Sequence, residues 1–393
     1  YTNSVTLVNT FSEYSEDHDR DWLVDKTEEF CQEKAIYNAI MESIHIIDGK
    51  SKNKAKDAIP SVLSDALSVG FDNNIGHDFL EDWVARYDFY HAVEEKIPFD
   101  IEYLNKITKG GVSRKSLNII LAGTGVGKSL AMCHFAANNL MEGKNVLYIT
   151  MEMAEEKIAE RIDANLLNVT MDELEDLPKM MYDKKISKLR DRTTGKLIVK
   201  EFPTASAHAG HFRHLVNELK IKKGFVPDII YVDYLNICAS SRMKGIGGSV
   251  NTYSYVKSIA EELRGLAVEK DVPIFSATQT TRSGYTNSDV GLEDTSESFG
   301  LPATADLMFA VISTEELEAL NQVMIKQLKN RYNDPTQNKR FVVGIDRARM
   351  RLYDAEESAQ YDVMDGPAIT ADVPVFDKGV NKFEQKDFKE LFT

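Results

Sequence analysis

The stretch that most constrains this chain is 122–129, AGTGVGKS, which follows the apolar run 117–122 and precedes a helical pattern over 130–141. A glycine-rich turn between a buried strand and a helix is the setting in which backbone N–H groups converge on phosphate. Gly123, Gly125 and Gly127 let the backbone wrap an anion, Lys128 is spaced to meet β- and γ-phosphates, and Ser129 to meet a Mg²⁺ ion bound with them. Ala122 stands where the strict pattern has Gly, so the match is to its relaxed form. A merely structural turn leaves the Lys-Ser pair unexplained. The expected nucleotide-binding loop is therefore Ala122, Gly123, Thr124, Gly125, Val126, Gly127, Lys128, Ser129 and Leu130, with ATP and Mg²⁺ as its ligands.

Such a loop needs a parallel sheet behind it. Apolar runs at 145–150, 197–202, 228–233, 272–278, 307–312 and 341–346 alternate with helical stretches. Buried strands separated by helices predict an α/β fold: a mostly parallel sheet with helices on both faces. Upstream, 1–58 reads as an acidic helical segment whose apolar stripe is Phe30, Ile36, Ile40, Ile44 and Ile47. The lysine-rich 50–56 reads as a solvated loop. Pro60 opens a helix over 59–71 with Val62, Leu63, Ala66, Leu67 and Val69 on one side. A further helix over 78–95 carries Phe79, Trp83, Tyr87, Phe89 and Tyr90, read as packing residues rather than a stacking platform for bases. After Tyr353 acids outnumber lysines among scattered Pro and Gly, which predicts a disordered tail. Near its end Phe383, Phe388, Leu391 and Phe392 sit among charges; the plain reading is an inert, soluble tail, and the sharper one a short helix that docks on a partner protein. The expected divisions are 1–58, 59–96, 97–353 and 354–393.

At 393 residues the chain suits one catalytic domain with appendages. Its three cysteines, Cys31, Cys133 and Cys238, are too far apart for a zinc site or a disulfide framework and read as reduced thiols of a cytoplasmic protein. No apolar run is long enough to span a bilayer, and no signal peptide is visible, although the sequence starts at Tyr1 rather than Met. The net charge of −15 does not exclude nucleic acid, since binding needs only a local basic lining.

Four further elements complete a catalytic set. Asp233 ends the run DIIYVD, the place of the acid that supports Mg²⁺ in P-loop enzymes. The next residue, Tyr234, cannot serve as base, so the base comes from elsewhere. Glu152, in TMEM at the end of another strand, is the candidate; Glu155 and Glu156 fall in the helix that follows. Gln279, ending VPIFSATQ, can distinguish ATP from ADP. Lys329 and Arg331 alternate on an extended segment and point one way. No phosphate within the same subunit claims them, so they are candidates for a neighbour's γ-phosphate; the plain alternative is a solvated basic face.

Two loops suit a polymer: 239–252, with Arg242 and Lys244 beside glycines, and 281–300. Neither interleaves aromatics, so binding there would rest on phosphate contacts with little sequence preference.

Together the P-loop and the stretches 98–111, 146–165, 228–236, 257–273, 300–306 and 325–331 resemble the DnaB-like replicative helicases, the T-even bacteriophage branch in particular. The resemblance is dense over 98–353 and loose over 20–97. It implies a RecA-like P-loop ATPase core, a homo-hexameric ring around single-stranded DNA moving 5′ to 3′, ATP sites between subunits, and a bacterial host cytoplasm. It makes Lys329 and Arg331 the family's trans-acting pair, and places Ser296, Glu297, Ser298, Phe299 and Gly300 in its central DNA-binding loop. That loop often carries Arg, whereas here it reads Ser-Glu-Ser, leaving backbone N–H groups for phosphate. The resemblance also implies a shortened N-terminal collar, a linker helix at 59–71 that docks on the next subunit, and a primase, loader and polymerase as partners. Two other readings share the core: a RecA-type recombinase forming filaments, against which the collar and linker helix argue, and a non-enzymatic factor that uses ATP only to assemble. Nothing in the sequence identifies nucleotide preference, although Tyr353 is placed to stack on a base.

Overall fold

A computed structural model describes residues 20–49, 58–67, 69, 78–92, 94–242, 252–280 and 300–360. The chain divides into two compact units, Tyr1–Val93 and Glu94–Thr393.

In the first unit, α1 (Arg20–Ile47) packs on α2 (Ile59–Leu67), and α3 (Trp83–His91) follows. The face of α1 that is covered holds Ala39, Ser43 and Ile46, against Ala66 of α2. The helical period of the expected stripe is right but its phase is not: Phe30, Ile36, Ile40, Ile44 and Ile47 are all exposed in the isolated chain. The covered positions Ala39, Ser43 and Ile46 lie one residue before Ile40, Ile44 and Ile47, so the buried face is rotated by one position from the stripe the pattern favoured. The aromatics expected to pack likewise lie open, Phe79, Trp83, Tyr87, Phe89 and Tyr90 among them, and the helix that carries most of them is shorter than 78–95. Residues 50–57, including the whole lysine-rich stretch, lie outside the described residues.

The second unit is built on one nine-stranded sheet. Its strands are β1 (Leu117–Ala122), β2 (Val146–Thr150), β3 (Leu197–Glu201), β4 (Ile229–Asp233), β5 (Ile274–Gln279), β6 (Leu307–Ile312), β7 (Gln322–Asn330), β8 (Arg340–Asp346) and β9 (Arg351–Asp354). The order is β3-β2-β4-β5-β1-β6-β7-β8-β9; the first six are parallel and the last three continue as an antiparallel meander. The helices are α4 (Glu102–Thr108), α5 (Lys128–Met141), α6 (Glu155–Leu167), α7 (Met171–Glu175), α8 (Lys179–Arg190), α9 (Ala209–Lys223), α10 (Thr252–Lys270), α11 (Gly300–Thr304) and α12 (Glu315–Ala319).

Successive strand residues alternate between faces, and both faces are covered. Ile120, Tyr148, Tyr231, Phe275 and Phe309 meet Phe135 of α5 on one side. Leu121, Ile149, Val232 and Ile274 meet Phe212 of α9 and Ile259 and Leu263 of α10 on the other. This is the mostly parallel α/β sheet, covered on both faces, that the run pattern predicts, and it fits the RecA-like core that the resemblance implies. Two strands, β7 and β9, lie outside the six runs and the P-loop strand, because their mixed polar residues lack an unbroken apolar signature. Regular structure also continues past 354, where the tail was expected, as a short helical turn at Glu357–Gln360. Gln360 is buried and exchanges two hydrogen bonds with the Val342 backbone, at 2.9 and 2.7 Å.

Candidate active site

In an open α/β sheet, ligands sit beyond the carboxyl ends of the strands. Four parallel strands deliver the catalytic candidates to that end. The wholly buried β1 leads into the P-loop, where Gly125 and Gly127 adopt φ of +79° and +132°, conformations costly for any side chain. α5 begins at Lys128. β5 pairs with β1 so that Gln279 lies beside Ala122. β4 ends at Asp233, and its neighbour β2 pairs Thr150 with Asp233, which brings Glu152 alongside. P-loop, Glu152 and Gln279 line one cleft, with Met153, Arg161, Arg347 and Met350 on its walls.

The polar contacts within it are few and specific. Lys128, largely buried, sets its Nζ 3.4 Å from Glu152 Oε2 and 3.3 Å from the centre of the Tyr234 ring. A cation on an aromatic face is held by the ring's quadrupole. The Gln279 amide donates to the Tyr234 hydroxyl at 3.4 Å. Asp233 is fully buried; Tyr148 donates to its Oδ2 at 3.0 Å while Oδ1 has no partner. Burial pushes the Asp233 carboxyl above its ordinary value, although the Lys128 ammonium and the Tyr148 and Ser129 hydroxyls pull the other way. An unsatisfied buried carboxylate oxygen beside a hydroxyl and an ammonium is a donor set that a magnesium–triphosphate would complete. Among the described residues no three His, Cys, Asp or Glu cluster to hold a metal unaided, so a metal here would be shared with phosphate.

Glu155 and Glu156 open α6, as expected. The Glu155 carboxylate accepts from the Glu201 backbone N–H at 3.1 Å and does not line the cleft. Tyr353 is away from the cleft too: its ring covers Gly344 across the β8–β9 pair.

Lys329 and Arg331 lie elsewhere. In register, β7 ends opposite the beginning of β6, next to the amino end of β1. The P-loop starts at the other end of β1, five residues or about 16 Å away. There the Lys329 ammonium donates to the carbonyl oxygens of Pro302 and, at 3.0 Å, Ala303. Arg331 pairs with Asp306 at 2.8 Å and Arg264 does so at 3.1 Å. Asp306, whose Oδ2 also accepts from the Leu117 N–H, is held below its usual range by these donors in spite of burial. Burial, together with Arg331 and Arg264, lowers the Lys329 ammonium. Both side chains converge on one spot, as their alternation predicts.

Of the DNA candidates, Arg242 is exposed but pairs with Glu261 at 2.6 Å. Gly300 is buried at the start of α11 against the Lys257 side chain. Lys244, Ser296, Glu297, Ser298 and Phe299 lie outside the described residues. Sequence reasoning missed Arg347, Arg161 and the part of Tyr234 in seating Lys128. Tyr234 was in view as a position where a base is lacking; a ring one residue past a strand-ending Asp is itself the signal.

Comparison with known proteins decides the family. The family described as DnaB-like helicase C terminal domain matches residues 97–344. The chain belongs to the DnaB-like helicases. The DnaB-like replicative helicase of Enterobacteria phage T4 is 45% identical over 370 residues, 91% of this chain and 77% of that protein. A probable plasmid replicative DNA helicase of Chlamydia psittaci is 25% identical over 56% of this chain, which spans 48% of that protein. Among solved structures, a DnaB-like replicative helicase described with its primase interactions aligns with a TM-score of 0.57 at 16% identity, over 89% of this chain and 83% of that one. As a DnaB-like helicase the chain is an ATP-hydrolysing P-loop enzyme of DNA replication, and Enterobacteria phage T4 supplies its phage relative. Among the described residues no helix is long and apolar enough to cross a membrane.

Proposed function

We propose that this helicase works as a hexameric ring that moves 5′ to 3′ on single-stranded DNA and hydrolyses ATP at sites shared between neighbouring copies. The observation that carries the reading is the separation of Lys329 and Arg331 from the P-loop by the length of a strand. A cationic pair that cannot reach its own subunit's phosphates serves a neighbour's.

In this reading the N–H groups of 123–129 and the Lys128 ammonium bind the phosphates of ATP. Lys128 leaves the Tyr234 face to do so. Ser129 and Asp233 hold Mg²⁺, which when bound neutralises phosphate charge. Glu152, freed from Lys128, accepts the proton of the attacking water. Gln279 reports the γ-phosphate to the loop that follows it. Arg331 and Lys329 of the adjacent copy stabilise the charge that develops on transfer. Arg242 and Lys244 contact DNA phosphates, as do backbone N–H groups of 296–300. Residues 1–58 form a collar fragment, 59–96 a linker helix with a connecting helical segment, of which 59–71 docks on the next subunit, 97–353 the motor, and the segment from 354 onward an acidic tail. Primase, loader and polymerase are its partners in the host cytoplasm. An unwinding assay on forked DNA tests the reading: substrates with a 5′ tail are opened in an ATP- and Mg²⁺-dependent way, whereas opening that requires only a 3′ tail contradicts it.

A further inference from the structure

One cation outside this set touches the P-loop. Arg347 lies in the turn between β8 and β9, and its Nη1 donates to the Gly125 and Val126 carbonyl oxygens at 3.3 and 3.2 Å. The turn that carries it is tied down at three further residues. Asp346 accepts from the Arg349 N–H at 3.0 Å and from its guanidinium at 3.1 Å. Ala348 O accepts from Met171 N–H, at the start of α7, at 2.9 Å. Met350 O accepts from the Asn165 amide at 2.7 Å, and the same amide reaches His134 Nδ1 on α5 at 3.2 Å. With Nδ1 as acceptor, the buried His134 presents Nε2–H to Asp100 at 3.0 Å. The end of β8 and its turn lie close to the loop: a Cβ at Gly127 would stand at ordinary contact distance, 3.4 Å from Ile345 Cδ1 and 4.0 Å from Arg347 Nη1.

We propose that Arg347 is a positioning residue for nucleotide binding, gripping the outward carbonyls at the crest of the P-loop so that its N–H groups stay turned towards the phosphates. The inference rests on the reading of 122–129 as the phosphate site. A trans peptide points its C=O and N–H to opposite sides, so holding the Val126 carbonyl fixes the Gly127 N–H on the far side, while the Val126 N–H closes the turn on the Gly123 carbonyl at 3.3 Å. Ordering the loop beforehand removes that cost from binding. The N–H groups of the crest serve the phosphates common to ADP and ATP, so both nucleotides depend on the grip equally. Glu318, 3.7 Å from the other arm of the guanidinium, is an exposed pair of little consequence.

The test uses the full chain, with fluorescent ADP and a non-hydrolysable ATP analogue as probes, and steady-state ATPase kinetics. R347A raises Kd for both roughly tenfold, because binding must then order a loop that Arg347 no longer holds in place. KM rises in proportion and kcat stays within about twofold. R347K, whose ammonium can meet one carbonyl, recovers part of the affinity, and this conservative variant separates positioning from a folding defect. E318Q leaves both Kd values unchanged. Unchanged Kd in R347A, a loss confined to kcat, or a loss for the ATP analogue alone overturns the proposal. K128A is run beside it: if K128A loses nucleotide and R347A does not, the inference alone fails, whereas if K128A binds normally the phosphate site itself is misread.

Discussion

The two ends of the central sheet carry opposite kinds of site. At the carboxyl ends of β1, β2, β4 and β5, groups from separate strands converge around an unpaired carboxylate oxygen and an ammonium seated on an aromatic ring. At the other end, Lys329, Arg331 and Arg264 are satisfied by carbonyl oxygens and by Asp306. One end lacks a ligand's charge; the other presents cations with no phosphate of their own. Neither end by itself holds both the phosphate-binding groups and the Lys329–Arg331 pair, and in the proposed ring a second copy is what would bring the two together.

The largest expected effect comes from breaking the second end. Arg331→Ala should lower ATP turnover by about 10³–10⁵-fold, the range for a trans arginine in related phosphoryl transfers. A loss below about tenfold, at nucleotide saturation, would make Arg331 a structural partner of Asp306 and nothing more. Breaking the first end should cost somewhat less. Glu152→Gln keeps shape and nucleotide binding and should slow hydrolysis by about 10²–10⁴-fold; near-normal single-turnover rates would move the base elsewhere.

A subtler contrast is in stability. The buried Asp233 carboxyl is raised above its ordinary value, chiefly by burial. A raised folded-state value means that its contribution is favourable below the unfolded value and is lost as pH rises through the folded one. At neutral pH the nucleotide-free protein therefore bears a penalty that Asn removes while still accepting from Tyr148. Asp233→Asn should stabilise the free protein by about 1–3 kcal/mol at pH 7, with the gain shrinking towards acid, even as Mg²⁺-dependent hydrolysis is lost. Denaturant unfolding across pH reads this, and destabilisation at pH 7 would mean that the carboxylate is satisfied without a metal. The smallest effect concerns DNA. Replacing Arg242 and Lys244 by Ala should flatten the salt dependence of single-strand binding by about 1.4 in log–log slope, two phosphates' worth. An unchanged slope would leave Arg242 as a partner of Glu261 only.

The first end was legible because its signals are local. A glycine-rich loop on a buried strand, an Asp closing another and a Glu just beyond a third each follow from backbone geometry within a few residues. The second end was legible only in part: alternation predicts that Lys329 and Arg331 share a face, but their distance from the subunit's own P-loop depends on strand register, which no local pattern fixes. Arg347 was not legible at all, since its partners are 221 and 222 residues away and no motif marks it. The helical unit misled for a related reason. Periodicity fixes that a stripe exists, whereas the partner chooses the phase, and the face of α1 that is covered is the Ala39–Ser43–Ile46 face.

The central claim, that one ATP site is assembled from two copies, is tested most directly by mixing two inactive variants. Lys128→Ala lacks the first end and Arg331→Ala the second, so a mixed assembly contains some interfaces in which both halves are intact. Measured as ATP turnover against mixing ratio, with exchange of labelled subunits followed in the same samples, activity should rise well above that of either variant alone and peak at intermediate ratios. Turnover that stays at the level of the separate variants while subunits demonstrably exchange would contradict a shared site.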